Sequence, residues 1–172
     1  MGPIELLFLT IFGLFGAIGV VRGYQRELGV TTMLLLALFV IEFFMATALG
    51  DRVTALLSNA GVSETQIATI VALTACAMLL FVTFISYQGL GLIYPGSGRN
   101  HFLSLLIGLV NGYLLAGSIW WYLQSAGWPL GKVTDDYSAV YDFLVKLLPP
   151  DIFGWQFFIL VAVAMLIIRV VR

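Results

Sequence analysis

The sequence predicts an all-α membrane protein, a polytopic bundle of about five transmembrane helices plus a short interfacial amphipathic helix. Three observations predict it. First, the chain of 172 residues is 61% hydrophobic and only 10% charged, where a soluble domain averages about 25% charged. Second, five apolar runs, at 4–21, 28–49, 67–87, 101–123 and 152–171, approach the roughly 20 helical residues that cross a hydrocarbon core about 30 Å thick. They are continuous rather than alternating, which favours helices, and a helix satisfies its own backbone groups in lipid. Third, Ser104, Gly108, Gly112 and Ala116 recur every four residues, with Gly117 following. Residues four apart share a helix face, so this face is nearly bare. In lipid, close backbone approach at small residues replaces the hydrophobic force between helices. The stretch 99–124 therefore reads as the helix that others pack against.

The first run carries Gly13, Gly16 and Gly19 at spacing three, a second thin face able to meet the first. The turn Arg22-Gly23-Tyr24-Gln25-Arg26-Glu27 is too short for a domain, so runs one and two form an antiparallel hairpin. Arg22 at a helix C-terminus and Glu27 at a helix N-terminus suit the helix dipoles. Taken alone, the turn reads as solvated, with interfacial arginines.

Run two carries Glu42, an intramembrane carboxyl that needs a partner or a watery cavity. Its readings stay open: a functional acid, a neutral acid hydrogen-bonded in the bundle, or one reaching toward the interface. Residues 51–59 read as a short amphipathic turn. Ser63 with Gln66 reads as a capping box for run three. Thr74 in that run lies at about the depth of Glu42 and is a candidate partner for it. Cys76 reads as a buried apolar filler. Pro95-Gly96-Ser97-Gly98 is a turn, Asn100 caps run four, and His101 is interfacial. Asn111, mid-membrane, has an interhelical hydrogen bond as its default role, with pore lining as the alternative. Trp120, Trp121, Tyr122, Trp128 and Trp155 read as an aromatic belt. Between run four and run five, Asp135 and Asp136 can cap an amphipathic helix at 137–148 lying on the membrane surface, which Pro149-Pro150 ends.

One end of such a bundle holds Arg22, Arg26, Arg99, Arg169 and Arg172; the other holds Arg52, Lys132 and Lys146. The positive-inside bias places the N-terminus outside and the C-terminus in the cytoplasm, with 125–151 extracytoplasmic. The N-terminus lacks a positive n-region, so no cleavable signal is expected. The near-neutral charge offers no footprint for nucleic acid. A single cysteine and a single histidine exclude a disulfide within the chain and a His-pair zinc motif. No cofactor or metal is expected. The expected partners are the lipid bilayer and other membrane proteins or further copies of the chain.

Two stretches resemble the colicin V production protein family of bacterial inner-membrane proteins. Arg22, Gly23, Tyr24, Arg26 and Glu27 look like its Arg-Gly-aromatic-x-Arg-Glu turn, which follows a helix with an acid near its start, here Glu5. The stretch from Arg99, with Gly108, Gly112 and Gly117, is similar to its glycine-rich last conserved helix. The resemblance covers roughly 4–124 of one membrane domain spanning 1–172, with 152–171 as an extra C-terminal helix. The chain departs from the family at Gly98, where an acid is frequent, and at Asn111, where a base is frequent. The resemblance implies an accessory role in toxin production or secretion, or in envelope homeostasis. The expectation is thus a non-enzymatic membrane component. The alternative is a small channel or transporter using Glu42, Thr74 and Asn111, which requires these three to converge on a water-accessible cavity.

Overall fold

The computed structural model describes residues 2–90, 92–96, 100–129, 131 and 138–171. Arg99, Lys132, Asp135, Asp136, Tyr137 and Arg172 lie outside them, as do Ser97 and Gly98 of the expected turn. Most of the described residues are helical and none of them forms a strand, an all-α bundle. The elements are α1 (Pro3–Arg22), α2 (Tyr24–Met45), α3 (Ala48–Asn59) and α4 (Glu64–Ile85). They continue with α5 (His101–Ser125), α6 (Ala139–Val145), α7 (Pro149–Ile152) and α8 (Trp155–Val171).

Four helices are long and apolar enough to cross a membrane: α1, α2, α4 with its extension to Gly89, and α5. The fifth run yields α8, an apolar helix of 17 residues, about 25 Å long at 1.5 Å per residue. It starts at Trp155 because Phe153 is extended after the short α7. The second run ends at Met45, earlier than its hydropathy suggests. Residues 48–59 form a full amphipathic helix, α3, rather than a turn. None of its residues is buried. The expected surface helix at 137–148 is shorter, from Ala139 to Val145, capped by Ser138, whose Oγ accepts from the Tyr141 amide at 3.2 Å.

Local chemistry sets the ends. Ser63 and Gln66 form the capping box that opens α4. Asn100 Oδ1 accepts from the Leu103 amide at 3.0 Å and starts α5. Gly89, at φ 96, breaks the helix within the π-turn Ser86–Leu90 that follows α4.

The core is shared by α2, α4, α5 and α8, with Leu34, Leu38, Leu79, Phe158 and Ala162 fully enclosed. Cys76 sits in this core. A second cluster joins Ile4 and Phe8 of α1 to Trp120, Tyr141 and Leu148. Trp120 and Tyr122 are therefore core residues, not belt residues. Phe8 and Tyr141 flank the Trp120 ring at 5.6 and 5.3 Å between centroids. The outer surface is apolar, with Leu14, Phe81, Leu160 and Ile167 exposed.

The most extensive contact is between α1 and α5. A Cβ built on Gly108 would collide with the Phe15 carbonyl and lie 3.1 Å from the Cα atoms of Gly16 and Gly19. One on Gly19 would strike the Ser104 carbonyl, and one on Gly112 would lie 2.9 Å from the Phe12 Cα. The backbones thus touch where the side chains are missing. Gly13 faces open space and takes no part. Strict four-residue spacing drifts about 40° per step on a helix of 3.6 residues per turn. The wide π-turn Tyr113–Gly117 re-phases α5 midway. Gly117 consequently meets Pro149 of α7, while Ala116 packs with the Ile4 and Phe8 side chains of α1 rather than with its backbone.

Gly108→Leu should lower stability in detergent by about 1–3 kcal/mol, the usual cost of overpacking. Leu106→Ala, on the exposed side of the same helix, should lose less, and Gly13→Ala should lose nothing. Thermal unfolding of the three variants in one detergent checks the order.

Candidate functional site

The polar centre of the molecule is the carboxyl of Glu27, which has no exposed surface. It is not the solvated end of a turn. Gly23 is the single residue between α1 and α2, so the chain reverses at once and Glu27 falls in the first turn of α2. The reversal uses φ 87 and ψ 150 at Gly23, a region open essentially to glycine alone. The Gly23 amide closes α1 by donating to the Gly19 carbonyl at 2.9 Å. The reversal turns Glu27 inward beneath Arg22.

Three donors from three other helical segments meet this carboxylate. Arg22 Nη1 donates to Oε1 at 3.0 Å, the one ion pair among the described residues. Tyr87 Oη and Asn111 Nδ2 both donate to Oε2, each at 2.9 Å. Asn111 Nδ2 also donates to the Glu27 carbonyl at 3.1 Å, and Asn111 Oδ1 accepts from Thr31 Oγ1 at 2.7 Å. An amide has two N–H donors and one carbonyl acceptor, so every polar atom of Asn111 is engaged. The Arg22 guanidinium lies 4.1 Å from the centre of the Tyr87 ring, and its Nη2 reaches the Ser86 carbonyl at 3.4 Å. Phe15 of α1 packs edge-on against the same ring at 5.6 Å. The cluster thus binds α1, α2, the end of α4 and α5 at one point.

The connection after α4 covers this site. A Cβ on Gly29 would collide with the Leu92 carbonyl. The Tyr94 amide donates to the Gln25 carbonyl at 3.1 Å, and the buried Tyr94 hydroxyl pairs with Thr32 at 2.8 Å. Arg169 of α8 donates to the Ile93 carbonyl at 3.2 Å. Tyr24 and Arg26 of the same turn are half-buried and exposed respectively.

Glu42, Thr74 and Asn111 do not converge. Asn111 is sealed against Glu27. Glu42 accepts from Tyr122 Oη at 2.6 Å, about 16 Å further along α5 than Asn111 at 1.5 Å per residue. Thr74 is exposed on the outside of the bundle, not paired with Glu42. His101 is exposed at the start of α5, and no three His, Cys, Asp or Glu residues form a metal-sized group among the described residues. The other buried acid, Glu5, accepts from the Ser138 hydroxyl and so ties the start of α1 to α6.

The arrangement holds four helical segments in fixed register. Sequence reasoning identified Asn111 as an interhelical donor but missed Glu27 as its partner, and missed Tyr87, Thr31 and Gly29. The Arg-Gly-aromatic-x-Arg-Glu pattern was the available signal, since it fixes Gly23 between an arginine and a glutamate on adjoining helices.

Gly23→Ala should cost about 1–3 kcal/mol through its backbone conformation alone, and it should expose the Arg22–Glu27 pair. Unfolding in detergent, with Gly127→Ala at another positive-φ glycine in open space as comparison, separates local strain from loss of the cluster: Gly23→Ala should cost more. Comparison of the chain with family models, with curated proteins and with solved structures finds no match.

Proposed function

We propose that the chain is a non-enzymatic integral membrane protein, an accessory component of a larger membrane assembly. By resemblance to the colicin V production family, that assembly serves toxin production, secretion or envelope homeostasis in a bacterial inner membrane. One observation carries the reading. Among the described residues, Asn111 bonds across helices to Glu27 and Tyr122 to Glu42 at separate points of the bundle, and Thr74 is exposed, so Glu42, Thr74 and Asn111 line no shared path. The bilayer is the first partner, matched to the apolar outer surface. The remaining partners are other membrane proteins or further copies of the chain.

The arginine distribution orients the protein. Arg22, Arg26 and Arg169 gather at one end of the bundle, beside the 92–96 connection. By the positive-inside bias this end is cytoplasmic, which puts the N-terminus, α3 and α6 outside and the C-terminus inside.

Two measurements test the proposal. Asn59→Cys in a Cys76→Ala background should be labelled by an impermeant reagent on intact cells; labelling only after permeabilisation reverses the orientation. Purified protein in liposomes should carry no proton or ion flux above empty vesicles, and Glu42→Gln should assemble normally and keep the cellular phenotype. A flux abolished by Glu42→Gln would replace the accessory role with a channel.

A further inference from the structure

A second feature lies on the outer side of the Glu27 cluster. An open pocket of about 310 Å³ is lined by Arg22, Arg26, Tyr87, Gln88, Leu92 and Ile93, together with Ser86 and Gly89. We propose that this pocket binds an anionic phosphate group, presented by the headgroup of a phospholipid.

The charges favour an anion. Glu27 neutralises Arg22, but Arg26 is exposed and has no hydrogen-bond or ion-pair partner among the described residues. A guanidinium has five N–H donors. Arg22 uses one on Glu27 and one on Ser86, so it keeps donors for a ligand while its position is fixed by the Tyr87 ring below it. Arginine forks match phosphate oxygens in pairs. No acid is among the described residues that line the pocket, and Glu27 behind them has its oxygens occupied by Arg22, Tyr87 and Asn111. Arg169 adds a third cation beside Ile93.

The surroundings favour a lipid over a free anion. Leu92 and the exposed Ile93 form an apolar wall. Val21 and Phe84, one and two residues along the chain from the pocket-lining Arg22 and Ser86, are 78% and 62% exposed. A headgroup phosphate at the arginines would leave its acyl chains against these side chains. This assignment of source rests on the membrane reading of the fold. It does not depend on the accessory role.

The test is native mass spectrometry of the detergent-purified protein with added phosphatidylglycerol or phosphatidylcholine. Wild type should retain one phosphatidylglycerol in preference to phosphatidylcholine. Arg26→Gln should lower its occupancy about tenfold, the loss of one charge-assisted contact. Gln88→Trp fills the pocket without changing charge and should lower it comparably. Arg52→Gln, at the opposite end, should leave it unchanged. Each variant is first checked for normal thermal unfolding, so a binding loss is not a folding loss. Wild-type retention by Gln88→Trp would show attraction to surface charge alone and overturn the proposal, as would retention by Arg26→Gln. Inorganic phosphate is the second arm: no thermal protection by it, with lipid retained, supports the headgroup. Protection by phosphate without lipid preference overturns the lipid source. Absence of channel flux or of a protein partner has no bearing on these outcomes.

Discussion

A carboxylate placed where water cannot reach it must be satisfied by protein, and Glu27 imposes that condition on the whole bundle. An unpaired charge in such a place costs several kcal/mol, and breaking a buried pair typically costs about 3–5 kcal/mol. Arg22, Tyr87 and Asn111 come from three different segments. Each can reach Glu27 only if its own helix is seated correctly. Asn111 is adjacent to Gly112, and that glycine is where α5 touches the backbone of α1. The bare face and the polar cluster are therefore one device. Close approach brings the amide within reach, and the amide fixes the register of helices that apolar contact alone would let slide.

The ends of the bundle are tied by smaller versions of the same chemistry. Glu42 and Tyr122 join α2 to α5 at 2.6 Å near the far end. Glu5 and Ser138 fasten α1 to α6, and the Tyr113 hydroxyl donates to the Leu147 carbonyl at 2.6 Å. The 92–96 connection lies across the opposite end, held by Tyr94 and Arg169. Helices alone in lipid have little reason to prefer one arrangement. Here each end carries at least one directional bond.

Much of this was legible in the chain. The glycine stripe of α5 and the capping residues Ser63 and Asn100 follow from spacing and side-chain chemistry that act within a few residues. The partner of Asn111 was not legible. A six-residue turn with two arginines and a glutamate has the composition of a solvated loop, and only the single-residue reversal at Gly23 turns Glu27 inward. Gly29 has no periodic partner because what presses on it is Leu92, far along the chain. Depth along a helix suggested Thr74 for Glu42, but depth does not fix rotation, and Thr74 points outward. Trp120 looked interfacial by type and position, yet α6 and Phe8 cover it. The π-turn in α5 left no sequence signal beyond a four-residue spacing that a regular helix could not keep on one face.

The central claim is that Glu27 and Asn111 act as one unit across α2 and α5. A double-mutant cycle with Glu27→Ala and Asn111→Ala, read by thermal unfolding in detergent, measures it directly. The account predicts a coupling of about 0.5–3 kcal/mol, with the double variant losing clearly less than the sum of the two single losses. Strictly additive losses would mean that the two residues stabilise the bundle separately, and would contradict the account.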